Sequence, residues 1–209
     1  MPDSGKVQEK LIKTVACFGF ADASPDDPLF KEAYTVGQAL GGAGYIVTNG
    51  GGPGVMRATT DGAKAAGGHV IGITFYPRDV ANFEGRDVNN KFDEEIKTDN
   101  YLARTLKLLE VGQAYVIFKG GTGTISEFGM AWGLARLYFG HHKPLILYGK
   151  FWENIIAAFL ANMRMRPEEF QVYRIVNSPE EVVKSLELFE LMMQHDNRIF
   201  NPAEKAFQL

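Results

Sequence analysis

The stretch Lys119-Gly120-Gly121-Thr122-Gly123-Thr124-Ile125-Ser126-Glu127 sets an anion-binding turn beside a carboxylate. It follows an apolar run, Ala114–Phe118, that reads as a buried strand, and precedes Phe128–Leu137, which reads as a helix. A strand, a glycine-rich turn and a helix N-terminus together make a phosphate site. Glycines let backbone N–H groups close on the anion, and the helix end adds partial positive charge. Thr122 and Thr124 add hydroxyl donors to Gly120, Gly121 and Gly123. Glu127 is expected to project from the first helical turn, where the sugar of a phosphorylated substrate would lie. That combination predicts chemistry on a nucleotide, beyond nucleotide binding.

A second glycine cluster, Asn49-Gly50-Gly51-Gly52-Pro53-Gly54, follows the apolar run Tyr45–Thr48. The elements that must position both turns alternate along the chain. Strands are predicted at 14–20, 45–48, 69–75, 114–118, 144–148 and 173–176, and helices at 28–42, 55–66, 100–112, up to about 139, 152–163 and from 178 onward. The polar stretch 76–99 reads as a long loop carrying one short strand near 94–98, and loops of that length are usually functional. Residues 1–12 read as a loose arm or a short helix, and the tail 196–209 carries no clear pattern. Alternating strands and helices predict an α/β fold: a doubly wound, mostly parallel sheet with helices on both faces. Ligands of such sheets sit at the carboxyl ends of the strands, so the two glycine turns are expected to face one crevice.

Composition bounds the remainder. A chain of 209 residues with 45% hydrophobic and 22% charged residues suits one globular domain, taken here as residues 1–209. A net charge of -3 speaks against nucleic acid as partner, yet a phosphate pocket needs only local positive charge. Cys17 is the single cysteine, so an intrachain disulfide and a cysteine-rich metal site are excluded; its apolar strand context predicts a buried thiol. No apolar run approaches the roughly 18–20 residues that span a bilayer, and the polar N-terminus lacks a signal-peptide pattern. The expectation is a cytoplasmic protein without a membrane partner. No His/Cys/Asp cluster has ligand spacing, so no metal and no cofactor are expected.

Gly50-Gly-Gly-Pro-Gly-Val-Met56, followed by Gly62–Gly68 and Ile71-Gly72, resembles the first motif of the LONELY GUY family, long labelled "possible lysine decarboxylase". Arg104 with Gly120-Gly-Thr-Gly-Thr-Ile-Ser-Glu127 resembles its second motif, and Lys143–Gly149 with Phe151-Trp152 is similar to the strand and helix that follow. The resemblance covers about residues 13–163. It implies a Rossmann-like fold and a homodimer with sites near the dimer interface. It also implies hydrolysis of the N-glycosidic bond of a nucleoside 5′-monophosphate, of cytokinin or purine type, to free base and ribose 5-phosphate. The family's catalytic arginine and glutamate map onto Arg104 and Glu127. The chain departs from the family pattern in three places: Lys119 replaces a proline, Thr105 replaces the lysine after the arginine, and Gly19-Phe20-Ala21-Asp22 replaces Gly-Ser-Ser. Relatives with altered motifs include carriers of the molybdenum cofactor, a phosphorylated pterin, so a non-catalytic carrier is the alternative. No residue pattern supports a pyridoxal cradle, so the decarboxylase label is not followed.

For glycosidic cleavage, a carboxylate near the anomeric carbon stabilises an oxocarbenium-like sugar and activates water. Glu127 is the candidate for this while Gly120–Thr124 hold the 5′-phosphate and fix the sugar. Arg104 suits the phosphate, Glu127 or the base, and the sequence does not choose among them. Gly51, Gly52, Gly54 and Met56 are the candidates for the nucleotide or base side, with packing as the other role open to Met56. Lys119 reads equally as a phosphate contact or a solvated rim, and Asp22 as a ribose contact or a turn residue.

Overall fold

The computed structural model describes residues 10–76 and 85–195. The expected arm 1–12 lies largely outside the described residues, as do the tail 196–209 and part of the loop 76–99. In chain order the elements are β1 (Thr14–Phe18), α1 (Pro28–Gly42), β2 (Ile46–Asn49), α2 (Val55–Ala65), β3 (Val70–Phe75), β4 (Glu94–Thr98), α3 (Tyr101–Val111), β5 (Ala114–Ile117), α4 (Thr122–Leu137), β6 (Leu145–Tyr148), α5 (Phe151–Asn162), a 3-10 turn (Pro167–Phe170), β7 (Tyr173–Val176) and α6 (Pro179–His195). Among the described residues the strands form one parallel sheet in the order β4-β3-β2-β1-β5-β6-β7. This is the Rossmann-like, doubly wound α/β architecture.

Side chains that alternate along a strand feed two cores. In β1, Val15 and Cys17 face α1, α2 and α6, whereas Ala16 and Phe18 face α3, α4 and α5. The chain winds outward from β1 to β4, then returns to β5 and winds the other way. The switch in strand order therefore falls between β1 and β5, where a crevice opens beyond their carboxyl ends. Cys17 is fully buried there, and burial pushes its thiol up to about 12, which disfavours the thiolate. Trp132 and Trp152 are also buried, donating their indole N–H to Glu169 O (2.7 Å) and Ile117 O (3.1 Å).

Two boundaries differ from the sequence expectation, while the short strand expected at 94–98 forms where it was read. β1 ends at Phe18 rather than at 20, and the next residue has to be small against the start of α2: a Cβ on Gly19 would lie 2.6 Å from Val55 Cγ1. The strand near 94–98 is a regular edge strand, β4, paired in parallel with β3; its charged side chains protect the edge. α4 starts at Thr122, earlier than Phe128, so Thr122, Gly123 and Thr124 are its first turn and Glu127 sits in its second. Threonine and glycine are weak helix formers, and packing of the helix on the sheet overrides that local preference.

α1 and α2 approach closely through glycines. A Cβ on Gly62 would stand 1.9 Å from Tyr34 O, and one on Gly37 would stand 2.3 Å from Thr59 O. Gly62→Ala is expected to destabilise the fold by about 2 kcal/mol, because overpacking outweighs the gain of about 1 kcal/mol in helix propensity. Urea unfolding would measure it; an unchanged midpoint would contradict this packing.

Candidate functional site

The crevice at the β1/β5 switch holds a cavity of about 410 Å³. Its floor is Cys17 and Phe18, at the end of β1. Gly50 and Met56 form one wall, Tyr101 and Arg104 of α3 another, and Gly121–Thr124 with Glu127 of α4 the third. The volume lies within the range of small-molecule sites.

The N-terminus of α4, where the sequence predicts an anion site, borders this cavity. Gly121 is its N-cap, in extended conformation, and no side chain caps the helix. A Cβ on Gly121 would meet nothing within 4 Å, so that glycine borders open space. Gly120 is constrained differently: a Cβ there would come within 2.1 Å of Thr124 Oγ1. The turn is thus closed on one side by Thr124, which is buried, and open on the other.

Glu127 is only 7% exposed. Burial pushes its carboxyl from the usual 4.5 up to about 7, and the neighbouring Arg104 charge works in the opposite direction. A carboxyl that titrates near neutrality can both hold and release a proton at physiological pH. Arg104 is also 7% exposed, with its guanidinium carbon 5.1 Å from the Tyr101 ring centre and 5.2 Å from that of Phe75. A Cβ on Gly50 would lie 3.1 Å from Arg104 Nη1, so the first glycine turn leaves room for the guanidinium. α3 is held at both ends. Asn100 Oδ1 accepts from Ala103 N (2.9 Å), and the buried Lys143 Nζ donates to Leu109 O (2.6 Å) and Glu110 O (2.8 Å).

The other candidate residues distribute as follows. Met56 lines the cavity, and Asp22 sits exposed at its rim. Gly51, Gly52 and Gly54 do not line it. Gly51 has φ +73, and its carbonyl accepts from Asp87 N (3.0 Å). Gly52 O accepts from Asn90 Nδ2 (2.8 Å), and Gly54, at φ +62, lies against the carbonyls of Phe20 and Ala21. These glycines carry the segment 85–92 and the start of α2, while Asn49 braces the turn from inside, accepting from Gly51 N and donating to Met56 O. Lys119 and Gly120 face a neighbouring cavity. Thr105, at the family's lysine position, is fully buried and stands outside the cavity lining.

Tyr101 was missed by reading the sequence. It lies three residues before Arg104 and so on the same helix face, which is the signal that would have found it. Its hydroxyl is 3.3 Å from Ser126 Oγ, linking α3 to α4 across the mouth of the cavity. His142, in the loop before β6, is half-buried and stacks on Phe139; burial lowers its imidazole to about 4.

A model of the SLOG cluster4 family matches residues 12–182. An uncharacterized protein of Archaeoglobus fulgidus is 34% identical over 124 residues, covering 59% of this chain and 78% of that one. A cytokinin riboside 5′-monophosphate phosphoribohydrolase of Mycobacterium tuberculosis is 32% identical over 131 residues, covering 61% and 67%. Among solved structures, the molybdenum cofactor binding protein from Rippkaea orientalis superposes with a TM-score of 0.61 at 26% identity, over 87% of this chain and 98% of that one.

Proposed function

The chain belongs to the SLOG cluster4 family, and from that premise we propose that it hydrolyses the N-glycosidic bond of a nucleoside 5′-monophosphate of cytokinin or purine type. The observation that carries this reading is that buried Glu127 and buried Arg104 line one cavity beside the uncapped start of α4. In the proposed mechanism the 5′-phosphate rests on the first turn of α4, which fixes the ribose over Glu127. The C1′–N bond breaks as the sugar gains oxocarbenium character, and the Glu127 carboxylate stabilises it. Water adds to C1′, Glu127 takes its proton, and that proton passes to the departing base. Arg104 keeps a fraction of Glu127 ionised at neutral pH. The similarity to the Mycobacterium tuberculosis phosphoribohydrolase supports this reading.

A homodimer and a cytoplasmic location are part of the proposal. Leu102, Leu106 and Ile125 are exposed beside the cavity mouth, and Gly129 and Gly133 leave the same side of α4 bare, a surface suited to a second copy. Light scattering would test it, with a dimeric mass expected. Among the described residues no helix is long and apolar enough to cross a membrane. A small phosphorylated molecule, rather than nucleic acid, is the proposed partner, in keeping with the net charge of -3.

The second reading, a carrier that binds without cleaving, draws on the likeness to the Rippkaea orientalis molybdenum cofactor binding protein. A product assay separates the two. On a panel of nucleoside and cytokinin riboside 5′-monophosphates, free base and ribose 5-phosphate are expected. No base from any nucleotide, with a nucleotide still raising the melting temperature, would favour the carrier. The phosphate placement has its own test. Gly121→Val puts its Cβ into open space, so the melting temperature should fall only by the modest cost of a poorer helix N-cap, while nucleotide affinity falls at least about tenfold. Unaltered affinity would move the phosphate elsewhere.

A further inference from the structure

Beyond the Gly120–Gly121 turn lies a second cavity that the proposed hydrolysis does not use. It is larger than the first, about 590 Å³ against about 410 Å³. Phe20, Tyr148 and Phe151 give it aromatic walls, and Lys119, Lys150 and Glu32 stand on its rim. Phe20 is 40% exposed and lines both cavities. The partition between them is the turn itself: Lys119 and Gly120 face the second cavity, and Gly121–Thr124 face the first. It is a fixed ridge, because Phe20 N donates to Lys119 O (3.0 Å) and joins the ends of β1 and β5.

The chemistry of the second cavity is that of a charged ring. Lys119 Nζ stands 5.9 Å from the centre of the Phe151 ring, so cation and aromatic face share one wall. The Asp27 carboxylate is engaged in capping α1, accepting from Leu29 N (2.8 Å). Glu32 supplies an acceptor for the N–H groups of a nitrogenous ring, and the two lysines supply donors for phosphate oxygens. Aromatic faces suit any base through stacking.

We propose that this cavity is a second ring subsite, so that the protein accepts a ligand of two ring systems joined through phosphate, in chemical class a dinucleoside diphosphate. The phosphates would lie astride the Gly120–Gly121 ridge, with one ring against Met56 and Arg104 and the other between Phe20 and Phe151. The inference rests on the reading of the first cavity as a nucleotide site.

Calorimetric titration with AMP and with diadenosine diphosphate tests it, using the full chain, Phe151→Ala and Lys150→Glu. The wild type should bind diadenosine diphosphate about tenfold more tightly than AMP, the worth of one stacked base. Each variant should lose most of that preference while its AMP affinity stays constant. Phe151 packs on Trp152, 5.3 Å between ring centres, so the exposed Lys150→Glu carries the test if Phe151→Ala fails to fold. Equal affinity of the wild type for both ligands overturns the inference, as does a parallel loss of both affinities in the variants. If AMP still releases adenine in that case, the hydrolase reading stands and only the second subsite falls. A preference for diadenosine diphosphate with no base released from any nucleotide supports the subsite and overturns the hydrolase reading.

Discussion

Glu127→Gln is expected to abolish base release and, above pH 7, to stabilise the protein. Glutamine keeps the shape of the side chain but can neither take the proton of water nor offset positive charge on the sugar. A fall of about 10³-fold or more in kcat is expected, with nucleotide affinity retained. The stability gain follows from burial. An unfolded Glu127 ionises near 4.5, whereas in the native protein it ionises near 7. Between those values the native state holds the extra proton, so the group's contribution to stability falls as pH rises from 4.5 to 7. At about 1.4 kcal/mol per pH unit, the ionised carboxylate costs the native state roughly 3 kcal/mol above pH 7. Product assays and urea unfolding at pH 5 and pH 8 check both halves. A variant that still releases base removes Glu127 from the chemistry; one that is no more stable than wild type at pH 8 contradicts its buried ionisation.

Arg104→Met should lower kcat about 100-fold and move the acidic limb of the pH–rate profile upward. In the wild type, kcat/KM is expected to rise with pH through an apparent pKa near 7, as Glu127 ionises. The Arg104 charge holds that value down, so its removal raises it, and the limb moves to higher pH. Methionine keeps apolar contact with Tyr101 and Phe75, which isolates the effect of charge. Arg104→Lys should restore the position of the limb but not the full rate, because an ammonium lacks the planar fork. A limb that stays in place in Arg104→Met would mean that Arg104 acts on the ligand and not through Glu127.

Much of this organisation was legible along the chain. The run Ala114–Phe118 reads as a buried strand because β5 lies inside a parallel sheet with both faces covered. The end of α3 and the cap at Asn100 follow from short-range chemistry. The start of α4 did not: Thr122-Gly123-Thr124 has the composition of a turn, and only its place on the sheet makes it helix. The roles of the first glycine cluster were equally hidden. Gly51, Gly52 and Gly54 look like ligand contacts, yet they are surrounded by Thr74, Phe92, Asn90 and the Phe20–Ala21 backbone, residues distant in sequence.

Periodicity and turn composition act over a few residues, so the winding of strands and helices, the two glycine turns at strand ends, and Arg104 and Glu127 as residues able to do chemistry can be read along the chain. What those residues experience depends on their neighbours in the folded protein. Burial raises the Glu127 carboxyl to about 7, Arg104 settles against Tyr101 and Phe75, and Lys119 turns to a different cavity from Glu127. The reason is physical: desolvation and side-chain direction depend on neighbours brought in by the crossover of β1 and β5, and no local spacing records those neighbours.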